Sequence, residues 1–354
     1  MHIGIEAARL LQERRGIGRY VRQLLLHMPL LQPNIRFTLF ARRSADIAEM
    51  RAHVAAISPA FAERTSIEAM SALRTGNVDV MWYPWNWITV PSARAPMVPT
   101  ILDIAPMLQL DHRWWKVHKR WKYRRRYTAT VQRAELIIAI SAFTACEIQR
   151  ALPVDPSKLR VTLLATDNIA LIANASSASL ERLGVSGPFF LTVGAQESRK
   201  NLGVLYRAME ILHARGERVP LVQCGPTAKR TNYAWLHHAG YVDDGELATL
   251  YRDATALVFP SRYEGFGLPA LEAMAAGGRV ICADASSLPE VVGNAALRFP
   301  WDDAEALARQ LVRVLHDGAL RNSLTAAGAE QSRRFSWEKT ARETLAVLGE
   351  AAGR

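Results

Sequence analysis

A chain of 354 residues, 49% of them apolar, is long enough for two ordinary domains and apolar enough for two cores, which excludes a disordered chain and a small disulfide-stapled scaffold. The cysteines Cys146, Cys224 and Cys282 are odd in number, far apart and lack C-x-x-C or paired-histidine spacing, so no disulfide framework or zinc site is expected and a reducing cytoplasm fits. The formal net charge of +11 favours an anionic partner, either nucleic acid or an acidic membrane face.

Charges break every apolar run of the opening MHIGIEAARLLQERR, and no apolar run of about 18 residues occurs, so neither a signal peptide nor a transmembrane helix is expected. His2–Glu6 has the pattern of a short strand. Gly16-Ile17-Gly18 then opens a helical pattern of Tyr20, Val21, Leu24, Leu25 and Met28, ending near Pro29 and Pro33. A dinucleotide fingerprint would need a third glycine at position 21, which is Val21, so an NAD site is weakly supported. Gly16 and Gly18 either bring the loop close to a phosphate or serve only to reverse the chain.

Strands are predicted at Ile35–Phe40, Val78–Tyr83, Val98–Leu102, Leu136–Ile140 and Arg160–Leu164, separated by helical patterns or proline-rich loops. This alternation defines the α/β class, with a parallel sheet covered on both faces. Ligands of such sheets collect at the carboxyl ends of the strands, which brings forward Trp85 within the cluster Trp82–Trp87, Asp103 and Ser141 as cleft candidates. The tryptophans either stack on sugar rings or pack a loop.

The basic charge concentrates in His112–Arg126, HRWWKVHKRWKYRRR, which predicts a helix. Trp114, Trp121 and Val117 fall near one stripe, Trp115 lies beside it, and Arg124, Arg125 and Arg126 belong to the remaining surface. An anionic membrane surface suits this composition; a solvated helix and nucleic-acid stacking are the alternatives. No RNA-binding or helix-turn-helix signature accompanies the charge, which weighs against nucleic acid.

A segment from about Asp167 to Gly187, rich in Ala, Ser and Asn, predicts the interdomain linker. Beyond it Phe189–Val193 is a predicted strand, and Gly194 to Asn201 leads into a helix over Leu202–Leu212. Arg199 and Lys200, beside that glycine loop, either neutralise a diphosphate or are solvated surface charges. Further strands are predicted at Pro220–Cys224, Ala239–Val242, Ala256–Phe259, Arg279–Cys282 and Ala296–Phe299, and helices at Asp303–Leu315, Ala319–Arg333 and Ser336–Leu348.

The stretch Ser261–Pro289 organises the rest: a strand exit, a glycine-rich turn, a helix from Leu268–Pro269, and another strand. Glu264 precedes that helix and Glu272 lies in its first turns, so both can face one pocket. Gly265 and Gly267 leave the turn open, and the N–H groups near Phe266 and Leu268 suit a phosphate. Carboxylates repel phosphate, so their partners are polyols such as sugar and ribose rings, and the pocket suits a sugar nucleotide. No D-x-D triplet or cluster of His/Asp ligands occurs, so neither a metal nor another cofactor is expected.

The run E-G-F-G-L-P-A-L-E-A-M-A from Glu264 to Ala275, with G-x4-R-K-N from Gly194 to Asn201, resembles the donor-site signature of glycosyltransferase family 4. G-I-G-R-Y-V-R from Gly16 and F-S-W-E-K-T-A-R from Phe335 resemble its mannosyltransferase-like branch, which builds bacterial surface polysaccharides such as lipopolysaccharide. The resemblance implies a GT-B fold, two Rossmann-like domains with parallel sheets facing across a cleft. Residues 1–170 would be the acceptor domain, 171–335 the nucleotide-sugar donor domain, and 336–354 a helix packing back on the first.

It further implies a metal-independent, retaining transfer of a hexose, in the first instance mannose from GDP-mannose. The acceptor would be a glycan or a polyprenyl-diphosphate-linked glycan, and the enzyme would be peripheral on the cytoplasmic face of the plasma membrane. By the same resemblance Arg199 and Lys200 stabilise the leaving diphosphate, Glu264 holds sugar hydroxyls, Glu272 holds the ribose, and the loop of Gly16 and Gly18 contacts donor phosphate or acceptor. The chain departs from the family in Thr100–Pro106, T-I-L-D-I-A-P, where Leu102 replaces the histidine expected before Asp103. That departure keeps open a catalytically impaired scaffold, and the charge keeps open a basic nucleic-acid-binding protein.

Overall fold

A computed structural model describes the whole chain except residues 8, 12–15, 75–76, 92–93, 109–116, 167–177 and 227–232. It divides into two units, one of Met1–Leu164 with Ser336–Arg354, the other of Ala165–Phe335.

The first unit holds seven strands: β1 (His2–Glu6), β2 (Arg36–Ala41), β3 (Thr65–Ala69), β4 (Val80–Tyr83), β5 (Met97–Ile101), β6 (Ile137–Ala139) and β7 (Leu159–Val161). They pair in the order β3-β2-β1-β4-β5-β6-β7, every pair parallel. Strands covered on both faces bury consecutive side chains, which is why β2 and β4 lack alternation. The order reverses between β1 and β4, the point at which such sheets open a crevice for ligands.

The helix Trp337–Ala352 belongs to this unit. The Ser336 hydroxyl caps it by accepting from the Lys339 N–H, Thr340 Oγ1 donates to the Leu163 carbonyl at 2.7 Å, and Arg160 Nε reaches Glu350 Oε2 at 3.0 Å. Trp337 packs against Tyr20 with ring centroids 6.3 Å apart.

The second unit repeats the plan with β8 (Phe190–Val193), β9 (Leu221–Cys224), β10 (Leu236–Gly240), β11 (Ala256–Phe259), β12 (Val280–Ala283) and β13 (Leu297–Phe299). The order is β10-β9-β8-β11-β12-β13, again parallel throughout. Cys224 on β9 and Cys282 on β12 are buried free thiols, pushed up by that burial to about 12.

The first helix runs over Ile17–Leu31 and ends between Pro29 and Pro33, as expected; proline removes one N–H near the helix end, and burial of Met28 and Pro29 carries the last turn. Two sequence expectations are corrected. β10 occupies Leu236–Gly240 instead of Ala239–Val242, because Leu236 pairs with Leu221 and the half-buried His237 and His238 disguise the strand. The basic helix runs over Val117–Arg133: its later turns bury Tyr127 and Val131 among Ile101, Ile104 and Ile137, so it is part of the first core as well as a basic surface. Trp114 and Trp115 lie outside the described residues. Among those described, no helix is long and apolar enough to cross a membrane.

Candidate functional site

In the second unit β8 ends at Val193 and Gly194 follows with φ 132°, while Gly225, just past the neighbouring β9, has φ 121°. A Cβ on Gly225 would stand 2.7 Å from the Gly194 carbonyl oxygen, so these two loops meet backbone to backbone. The chain then makes a 3₁₀ turn at Ser198–Lys200 and passes into the helix Leu202–Ala214 through Asn201, held left-handed at φ 53°. The Asn201 amide donates to the carbonyls of Pro260 (3.2 Å) and Trp301 (2.6 Å), and the Arg262 N–H donates to the Arg199 carbonyl at 2.9 Å. The turn is thereby fixed to the exit of β11.

That exit carries Glu264, whose side chain lies against the turn. Arg199 Nη1 is 2.9 Å from Glu264 Oε2, and Lys200 Nζ is 2.8 Å from Glu264 Oε1. The lysine ammonium also lies 4.9 Å from the centroid of the Phe259 ring. Glu264 is 8% exposed. Burial alone would raise its pKa, but the charges of Lys200 and Arg199 outweigh it and hold the carboxyl below its ordinary range. Arg199 Nε meets a second carboxylate, the exposed Glu197, at 2.6 Å. Two cations thus stand against two carboxylates.

The backbone of the Glu264 turn is held from the far side by two serines that the sequence analysis did not single out. Ser286 Oγ accepts from the Glu264 N–H at 3.0 Å, and the Ser287 hydroxyl lies 2.9 Å from the Glu264 carbonyl and 2.6 Å from that of Phe266. The S-S-L-P run after β12 was their only signal. Gly267, at φ 112°, ends the turn, and the helix Leu268–Ala275 begins with Pro269 in its first turn. Glu272 on that helix accepts from the Tyr251 hydroxyl at 3.1 Å. Gly265 and Phe266 are buried, and the Phe266 ring packs edge-on against Phe335 at 5.9 Å, so only its backbone can face a ligand.

The depressed Glu264 carboxyl has a signed consequence for pH. Its ion pairs contribute stability that is fully present above the unfolded carboxyl pKa, about 4.3, and is lost as pH falls through the lower folded value. The stability difference between the wild type and Glu264→Gln, measured by urea unfolding, is expected to be flat near neutrality and to shrink on acidification below about pH 4.3. A difference that grew on acidification would contradict this pairing.

The candidates of the first unit fare differently. Trp85 is 1% exposed with Nε1 donating to the Glu6 carbonyl at 2.7 Å, so it cannot stack on a sugar ring. Ser141 is fully buried and caps the helix Ala142–Ala151, accepting from the Thr144 N–H at 3.0 Å; it too is a structural residue. Asp103 is half-buried, with Oδ1 accepting from the Ala105 N–H at 3.0 Å and its carbonyl from the Tyr127 hydroxyl at 2.9 Å. Leu102 is buried, its N–H held by Asn86 Oδ1 at 2.6 Å. Gly16 is an exposed helix N-cap at φ 53°, whereas Gly18 is buried in the first turn of that helix. Trp121 is 61% exposed beneath the Arg125 guanidinium (4.6 Å to the centroid), and Arg124, Arg125 and Arg126 are all exposed.

The glycine turns, paired cations and carboxylate of this α/β unit gather at the carboxyl ends of parallel strands, where ligands of such sheets bind. Residues 181–331, most of the second unit, match the family model of the glycosyl transferases group 1.

Among curated proteins, the chain is 34% identical over 227 residues to the O-antigen chain mannosyltransferase B of Escherichia coli, covering 60% of this chain and 60% of that protein. It is 28% identical over 282 residues to the serotype-specific mannosyltransferase WbdA of the same species, covering 74% of this chain and 34% of that protein. The chain therefore spans about 60% of the length of the first of these relatives and about a third of the second. Its fold is similar to that of sucrose-phosphate synthase from Thermosynechococcus elongatus (TM-score 0.73, 20% identity, 99% of this chain and 98% of that one). It is likewise similar to HepE of Anabaena solved with UDP and glucose (TM-score 0.70, 16% identity, 99% of this chain and 100% of that one). The fold is the two-domain α/β fold of the GT-B class.

Proposed function

We propose that the protein is a retaining hexosyltransferase that moves mannose from GDP-mannose to a glycan or polyprenyl-diphosphate-linked acceptor in surface polysaccharide synthesis. The observation that carries this reading is the Arg199–Lys200–Glu264 cluster inside the matched domain. The relatives named as mannosyltransferases support the choice of sugar.

In such a transfer the bond between the anomeric carbon and the donor diphosphate breaks, and its electron pair leaves on the diphosphate. The acceptor hydroxyl oxygen bonds to that carbon and its proton passes to the departing phosphate, which suits a front-face route without a protein nucleophile. Arg199 and Lys200, with the N–H groups near Gly267 and Leu268, act where negative charge develops. Of the carboxylates on Arg199, the exposed Glu197 is the one that yields to an incoming diphosphate, because an exposed pair is weak and a buried one is not. Glu264 retains acceptor capacity for sugar hydroxyls, and Glu272 serves the ribose.

The reaction on this reading needs no metal, and it takes place at the cytoplasmic face of a membrane, where the exposed Trp121 and Arg124–Arg126 contact anionic lipid. A donor screen by thermal shift followed by a transfer assay tests the function, with chelator leaving the rate unchanged. In calorimetry with GDP alone, Glu272→Ala is expected to lose more affinity than Glu264→Ala, whose loss falls on transfer. No transfer with any donor would leave the impaired scaffold as the reading, which Leu102 favours.

A further inference from the structure

The first unit carries a second cationic cluster, built differently from the first. The guanidinium carbon of Arg9 lies 5.3 Å from the centroid of the Trp87 ring and that of Arg126 lies 5.2 Å from it. Trp87 is fixed from behind, packing on the core around Ile104 and Tyr127 and meeting Tyr127 edge-on at 6.0 Å. Among the described residues neither arginine is in an ion pair, in contrast to Arg160 and Arg199.

A guanidinium held by its face against an indole keeps its in-plane N–H donors for an anion, and its planar fork matches phosphate oxygens. The two forks are separated by at most the sum of their distances to the shared ring, a span that one diphosphate can bridge. Location gives the cluster its meaning. Arg9 follows β1 and Trp87 follows β4, the adjacent strands between which the order reverses, and Tyr127 on the Arg126 helix holds the carbonyl of Asp103 at the end of β5. A positive, aromatic-backed site therefore stands at the ligand crevice of the first sheet.

We propose that Arg9, Trp87 and Arg126 bind the diphosphate of a lipid-linked acceptor. This rests on the transfer reading above and adds to it the group by which the acceptor is held. An anionic phospholipid headgroup offers similar phosphate chemistry, and the test separates the two.

GDP binding to the full chain is measured first, in the wild type and in the double variant Arg9→Gln/Arg126→Gln. Equal affinities show the donor half intact; no GDP binding by the wild type is a failure of the transfer reading and leaves the present one to be judged on the next measurement. Inorganic pyrophosphate is then titrated with the donor site saturated by GDP. The wild type is expected to bind it, and the double variant to bind about 10- to 100-fold more weakly at unchanged melting temperature. Trp87→Phe, which keeps a ring against the core, should retain most of the affinity, and Trp87→Leu should not.

In co-sedimentation, the double variant is expected to lose binding to phosphatidylcholine vesicles carrying a polyprenyl diphosphate saccharide while retaining most of its salt-dependent binding to phosphatidylglycerol vesicles through Trp121, Arg124 and Arg125, with only the small loss due to one basic residue. Pyrophosphate that fails to bind the wild type, or binds the double variant equally, overturns the proposal. So does an equal loss on both kinds of vesicle, which would assign the cluster to headgroups.

Discussion

Lys200→Ala or Arg199→Ala is expected to lower turnover by about 100- to 1,000-fold, the range for losing one preorganised electrostatic stabiliser. Both cations are held in place before any donor arrives, Lys200 between Glu264 and the Phe259 ring, Arg199 between Glu264 and Glu197. Little reorganisation is needed when charge develops on the leaving group. The same pairing adds a stability effect. Removing one cation leaves buried Glu264 with the other, so the loss is expected at about 1–3 kcal/mol, below the cost of isolating a buried carboxylate. Single-turnover rates and urea unfolding of both variants and of Lys200→Ala/Glu264→Gln check this, with the paired variant less destabilised than the sum of its singles. Wild-type turnover in both single variants would remove the diphosphate role.

Gly225→Ala is expected to destabilise the chain by about 2–4 kcal/mol and to suppress transfer as well. The methyl group would meet the Gly194 carbonyl at 2.7 Å, and its own φ of 121° is costly for any residue with a Cβ. Neither obstacle is a flexible side-chain tip that can swing aside; both are backbone. Relief requires the loop after β8 to retreat, and that loop carries Arg199 and Lys200. The damage should appear in denaturant midpoint and in turnover together. A variant with wild-type stability would mean that the two loops do not meet as described.

The α/β class and most strands were legible because buried parallel strands form short apolar runs between glycine turns, as in Val80–Tyr83 and Ala256–Phe259. The misplaced or missed strands have a common cause. β3, TSIEA, is a half-exposed edge with a glutamate in it, and β10 carries two histidines directly after Leu236, so neither shows an apolar run. In the site, residue types were legible but partnership was not: nothing in the spacing of Arg199, Lys200 and Glu264 shows a carboxylate accepting both cations across a separation of 64 or 65 residues. Trp85 and Ser141 show the opposite error. Each sits at a strand's carboxyl end as a ligand residue would, yet its polar atom serves the backbone nearby.

The route of the chain also bears on how the protein is made. The first unit is left at Leu164 and completed only at Ser336, and Arg160 waits 190 residues for Glu350. During synthesis the helix Trp337–Ala352 leaves the ribosome after all of the second unit, so that unit can fold while the first still lacks the partner of Tyr20 and the Leu163 carbonyl. The nascent first unit therefore exposes apolar surface for as long as the second takes to emerge. Chaperone dependence and early proteolysis are expected to concentrate on residues 1–164, although the helix that cures them is encoded at the other end.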